Sequence, residues 1–434
     1  MPPSVFPTGV TIYNPKKTYN SYILFDGRDG KAQLIDMEGN TVHTWPYSGW
    51  PVEMIDPADA DGKKGHVLGQ KEPNPFANET VIELDWDGNI VWEWGDQAPG
   101  GKAGQDHDLA RLPNGNTLIL GYYARVVPEI SDEPVRDQNI YEISPDGKIV
   151  WQWSAVDHRE QLGISEKDVS LLLDPKVRNR RTGLLALNNM HPLGPNKWYR
   201  EGDSRFHPDN LIIDSRDGNF IAIIEKTSGN VVWLSGPNYP SSQDMSKRTF
   251  VGKIPRPLDQ TAGQHDAHLI PDGYPGAGNI LLFDNGGYSG WPPVYHFLWQ
   301  ATRILEIDPI TRDIVWQYDA SSSGEQVWTF FSYFMGGVRR LPNGNTLICE
   351  TIHGRIFQVT PEGEIVWEYI NPNFVGPEAG DDEDVNLVTW MFKGKRNWMY
   401  RAQPIPYDWV PEGTPRSENG VVPPELSTYR LGYI

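Results

Sequence analysis

The chain has 434 residues, 38 of them basic and 57 acidic, for a net charge of −19. With 38% hydrophobic residues before glycine is counted, it is globular in composition rather than disordered, and no run approaches the roughly 18 apolar residues that a membrane span needs. The acidic balance without a basic run argues against nucleic acid or an anionic membrane as partner. A single cysteine, Cys349, rules out an internal disulfide. The 43 Gly, 37 Pro and 17 Trp point to many tight turns and rigid aromatic packing units, a β-rich composition.

In chain order, the opening MPPSVFPTGV lacks a basic stretch followed by an apolar core. The chain as written is therefore expected to be cytoplasmic, or periplasmic if a leader has been removed. One hairpin pattern then recurs six times: LIDMEGNTVHTW, ELDWDGNIVWEW, EISPDGKIVWQW, IIEKTSGNVVWLSG, EIDPITRDIVWQY and QVTPEGEIVWEY. Its equivalent positions are His43, Trp92, Trp151, Trp233, Trp316 and Trp367. Alternating apolar residues around a DG-type turn are a strong hairpin signal. A second strand pair precedes the hairpin, as in HDLARL-PNGN-TLILGY and GGVRRL-PNGN-TLICET. Four strands per unit, six times over, predict an all-β, six-bladed propeller of four-stranded antiparallel blades across residues 1–370. Residues 371–434 are expected to form an irregular extension that straps or closes the ring.

In such a blade, the start of strand 1, the end of strand 2 and the link onward lie at one end. Long insertions at 121–138, 154–189, 234–263 and 286–301 all fall there, so function is expected at that mouth. A short helix is expected within 160–173. His107, His191 and His265 open blades three, four and five, and His353 follows strand 2 of blade six. This spacing places four candidate catalytic imidazoles together at the mouth. Arg216, Asn285 and Arg355 are placed there as substrate-binding groups. His268, three residues beyond His265, is sent to the opposite face by strand alternation and stands as a further candidate. Asp106, Asp108 and Asp266 flank the histidines as orienting carboxylates. His43 and the repeat tryptophans are packing residues. No nucleophile elbow, P-loop, H-E-x-x-H or C-x-x-C is present.

The segments GQHDAHLIPDGYPGAGNILLFDNGG, GPNKWYREGDSRFHPDNLIIDSRDGNFIAII and RRLPNGNTLICETIHGRIFQVTPEGEIVWEY resemble the bacterial arylsulfotransferase family, over about residues 8–410. The resemblance implies a six-bladed propeller that moves a sulfuryl group between phenols through a transiently sulfurylated histidine, with no nucleotide donor and no metal cofactor. It matches His265 to the family's QH histidine, Asn285 to its FDNG block, His191 to the histidine opening blade four, and Arg216 to the arginine ending that blade's second strand. No arginine follows FDNG here, which departs from the family pattern. The partner implied is a small aromatic substrate. A homodimer is compatible with the sequence, and the oligomeric state is open. The alternative reading is a metal-dependent enzyme in which His107, His191 and His265 hold one transition metal ion on the axis.

Overall fold

Strand pairing in every repeat has the same register. Leu34 faces His43, Glu83 faces Trp92, Glu142 faces Trp151, Ile223 faces Trp233, Glu306 faces Trp316 and Gln358 faces Trp367. In the computed structural model, which describes residues 8–27, 29–72, 79–172, 185–237, 261–287, 301–376 and 396–422, these hairpins are the outer halves of six antiparallel blades arranged as a propeller. Helices are short, and Glu166–Leu172 supplies the one expected within 160–173. No helix among the described residues is long and apolar enough to cross a membrane.

The repeat position does more than pack. Trp92, Trp151, Trp233, Trp316 and Trp367 each donate the indole N–H to a backbone carbonyl in the turn of the following blade, on Pro145, Lys226, Pro309, Pro361 and Met37, at 2.8–3.2 Å. His43 makes the equivalent contact from Nε2 to the Trp86 carbonyl at 2.8 Å while stacking on that indole. A flat ring that packs on its faces and carries an N–H at its edge, whether indole or imidazole, fills both demands. The last of these bonds runs from blade six back to blade one, so the latch goes right round the ring.

The ring is closed by the tail. Strand Ala402–Ile405 pairs with Tyr22–Asp26 as the innermost strand of blade one, while Gly9–Tyr13 adds a fifth strand outside blade six. The propeller therefore extends past residue 370 and takes in both ends of the described chain. The inner strands of the remaining blades are Glu53–Met54, Gln105–Arg111, Leu187–Pro192, His265–Leu269 and Gly337–Arg340. Four of these strands have a left-handed, non-glycine residue within two positions of their first residue: His107 (φ 72), Ala186 (φ 48), Asp266 (φ 59) and Met335 (φ 59).

The insertions differ in kind. Residues 121–138 are not a loop: strands Thr117–Val127 and Ser131–Ile143 continue together as one long hairpin, braced by Arg125 on Asp137 at 2.7 Å. The bulk of the insertions 234–263 and 286–301, and residues 173–184 of the third, lie outside the described residues.

Trp233 is almost wholly buried and its indole bond is fully enclosed. Trp233→Phe removes the donor and leaves the Pro309 carbonyl without it, at an expected cost of about 1–3 kcal/mol. A lower urea midpoint with an unchanged far-ultraviolet circular dichroism spectrum is the expected result; an unchanged midpoint would show that the indole bond does not hold blade four to blade five.

Candidate active site on the propeller axis

The axis is lined by carboxylates that reach from blade to blade. Asp108 accepts the Met190 N–H at 2.9 Å, Asp214 accepts that of Ala267 at 2.9 Å, and Asp266 accepts that of Val338 at 2.7 Å. At the closing seam Asp26 accepts from Tyr400 N–H at 2.7 Å. The kinked starts of the inner strands fit this arrangement, because they break the sheet ladder where these bonds form. Burial pushes the Asp214 carboxyl well above the usual carboxylate range. Asp266 goes the other way and is held well below that range by the Arg339 and Arg401 guanidinium groups, against its burial.

Arg401, one residue before the closing strand, is the central cation. Its guanidinium donates to Asp108 Oδ2 at 2.9 Å and to the Asn188 carbonyl at 3.0 Å, with Nε 3.5 Å from Asp266 Oδ1. Arg339, from the inner strand of blade six, pairs with Asp266 Oδ2. Neither residue is picked out by the sequence reading. For Arg339 a signal exists: blade three reads LARLPNGN and blade six VRRLPNGN, so an arginine stands where the matching repeat has Ala110. Arg340, like Arg111, instead clasps a glutamate of the preceding blade. Nothing in the tail sequence marks Arg401 as axial.

The four catalytic candidates divide between levels. His107 and His265 lie at the mouth, where inner strands begin. His191 does not: Leu187 pairs with Ser215 at the mouth, whereas His191 pairs with Ile212, three residues deeper, or about 10 Å. His268 is also deeper, and the alternation argument misplaces it. His265 faces Phe283 and His268 faces Leu281, so three steps on the inner strand oppose two on its partner. This bulge at Asp266 returns His268 to the side that carries His265.

At the mouth, Asn285 holds His265. The Nδ1–H of His265 donates to Asn285 Oδ1 at 2.7 Å, and its Nε2 accepts the Met335 N–H at 3.1 Å. Asn285 in turn donates to the Ser332 and Met335 carbonyls, so all its polar groups are engaged. Burial, reinforced by Arg216, pushes the His265 imidazole well below its ordinary range. It is neutral with both nitrogens taken. His107 differs: its Nδ1 lies 2.6 Å from Asp106 Oδ1, in a contact too bent for a good hydrogen bond, and its ring remains 14% exposed. Arg216 donates to Asp217 at 3.1 Å and feels the charge of Asp106. The nearby aromatic wall is built from Trp50 stacked on Tyr400 at 5.7 Å, with His107 6.0 Å from the Tyr400 ring.

At the deeper level, His191 Nε2 lies 3.3 Å from Asp266 Oδ1, and its ring stands 5.6 Å from that of His268. His268 donates from Nδ1 to the Asp266 carbonyl at 2.8 Å. Burial and Arg339 push its imidazole down to about 3. Glu53, from the short inner strand of blade two, is pushed up to about 7 by its enclosure and by Asp108, against the pull of His191 and the two arginines. The sequence reading misses Glu53, because a two-residue strand carries no periodicity.

Two candidates stand apart. His353 lies in a short turn with Nε2 3.8 Å from Glu350, and no contact joins it to the other imidazoles. Arg355 is buried between Glu350 and Glu368, at 3.2 and 2.6 Å, inside blade six. Arg303 on Asp284 repeats that pair at the matching position of blade five. Arg355 thus opens its strand at the mouth end, but its charge is taken up by the blade's own glutamates. Among the described residues, the metal-ligating types that come within one ion's reach are likewise not His107, His191 and His265 but His191, Asp266 and His268.

No curated protein matches the chain. Among solved structures, a protein of unknown function from Bacteroides caccae shares 13% identity over 89% of this chain and 99% of that one, at a TM-score of 0.47. A streptogramin B lyase shares 13% over 87% and 85%, at 0.41, and the virginiamycin B lyase of Staphylococcus aureus shares 13% over 85% and 85%, at 0.37. The arylsulfotransferase (ASST) family model matches residues 76–372, from the third strand of blade two through the last strand of blade six. On that match, which spans well over half its length, the chain belongs to the arylsulfotransferase family.

Proposed function

We propose that this protein transfers a sulfuryl group from an aryl sulfate to a phenolic acceptor at the insertion-rich mouth, with His107 as the imidazole that carries it. The observation that supports His107 over its rivals is the state of its ring. His265 has both nitrogens in hydrogen bonds and His353 lies against Glu350, whereas His107 keeps Nε2 without a hydrogen bond among the described residues while Asp106 sits against Nδ1. Its left-handed backbone is the kind of conformation that persists where the surroundings impose it, often at functional sites.

The chemistry is a double displacement. The His107 Nε2 lone pair attacks sulfur, the N–S bond forms, and the S–O bond to the donor breaks with its electron pair leaving on the phenolate. The acceptor oxygen then attacks sulfur, its proton passes to solvent, and the N–S bond breaks to restore the neutral imidazole. An ordinary phenol has a pKa of about 10, so its phenolate departs near neutral pH with modest help, and an activated one departs unaided. Arg216 binds sulfate oxygens as their charge shifts. The buried Trp50–Tyr400 stack beside His107 gives the aryl group an apolar, rigid backing. A net charge of −19 offers an anionic donor no long-range attraction, so local arginine supplies it.

Two outcomes are expected. With 4-nitrophenyl sulfate as donor and phenol as acceptor, His107→Asn lowers the transfer rate by more than about 1000-fold. Without acceptor, the wild type releases a burst of nitrophenol and leaves a sulfuryl adduct on the peptide bearing His107, and an adduct on another histidine would overturn the assignment. Arg216→Gln raises the donor KM by about 10- to 100-fold, because a charge-assisted contact to the sulfate is lost; an unchanged KM would remove Arg216 from the binding role.

A further inference from the structure

We infer that His191, Asp266 and His268, deeper on the axis than the mouth, form a binding site for one divalent first-row transition metal ion. Each offers a ligand atom, and the three atoms lie within 4.8 Å of one another. They come from the inner strands of two adjacent blades.

A second, independent observation points at a ligand. His268 is 94% buried, and its Nε2 has no hydrogen-bond partner among the described residues. Its Nδ1 donates to the Asp266 carbonyl at 2.8 Å, which fixes the tautomer and leaves the lone pair on Nε2. A buried nitrogen acceptor that faces no donor is costly to maintain, and a metal ion satisfies it. The hydrogen bond behind the ring is the support that ligating imidazoles usually have. Asp266 divides its oxygens accordingly: Oδ2 takes the Val338 N–H and Arg339, whereas Oδ1 turns toward His191 at 3.3 Å. Arg401 Nε, at 3.5 Å from Oδ1, makes no hydrogen bond to it.

The donor set decides the class of ion. Two imidazoles and one carboxylate suit Zn(II), Fe(II), Co(II) or Ni(II), whereas Mg(II) and Ca(II) ask for oxygen. Arg339 neutralises part of the Asp266 charge, which weights the site further toward nitrogen-bound ions. Three protein ligands leave positions open for water or an anionic oxygen, as catalytic rather than structural sites do. Neither His107 nor His265 takes part, so the site does not depend on the transfer reading.

The test uses the full-length protein, stripped with a chelator and titrated with Co(II) while visible absorption is followed, alongside elemental analysis of untreated protein. A single saturable site with ligand-field bands is expected. His268→Gln and His191→Gln should each weaken Co(II) binding by more than about 100-fold, beyond the loss typical of an outer-shell change. His107→Ala should bind Co(II) as the wild type does, which separates this site from the sulfuryl carrier. Circular dichroism and thermal melting confirm that each variant is folded, and His191, the less buried of the two, gives the safer variant. No spectral response in the wild type, or equal affinity in both glutamine variants, overturns the inference.

Discussion

Negative charge buried where six blades meet is the constraint on which the rest of this structure turns. A carboxylate removed from water must find donors or a cation, or else take up a proton. Asp108 and Asp266 find both, each accepting a backbone N–H from the next blade and each facing Arg401. Asp214 has a backbone donor but, among the described residues, no arginine in contact, and its carboxyl is shifted toward the neutral form. The cation at the centre is therefore a structural requirement, and the chain supplies it from its tail. Closing blade one with Ala402–Ile405 and delivering Arg401 to the axis are one event.

That arrangement also separates two chemical environments. On the mouth side stand His107, Arg216 and a His265 imidazole that burial and Arg216 keep neutral. At the deeper level His191, His268, Asp266 and Glu53 lie together, where burial first and the neighbouring charges second push Glu53 up and His268 down. Outside the axis, the same logic of repeated positions holds the ring. The indole latches and the clasps of Arg111 on Glu83 and Arg340 on Glu306 join neighbouring blades through side chains that recur in the repeat.

Much of this is legible in the residues. The DG and PNGN turns mark hairpins because their backbone demands are local, and the six-fold recurrence of Trp or His marks the blades because each must meet its neighbour in the same way. Placement of the site residues was harder to read. His191 appeared level with His107 because both lie in blade-opening segments, yet four residues of strand separate it from the mouth end. His268 appeared to face away from His265 because alternation assumes a regular strand, and the bulge at Asp266 breaks that assumption. Arg355 does lie at the mouth end, but its glutamates and the matching Arg303–Asp284 pair show that its charge serves the blade.

The amino-acid sequence alone determined the β class, the count and register of the blades, the end that carries the insertions and the family, because all of these are written in short-range patterns that repeat. Only the tertiary structure decided which histidines meet, that Arg401 and Glu53 reach the axis, and that an aspartate joins two imidazoles there. Those contacts join residues as far apart as Asp108 and Arg401, which no local rule of turn, strand or spacing connects. They depend on closing the ring, where the burial of charge selects the partners.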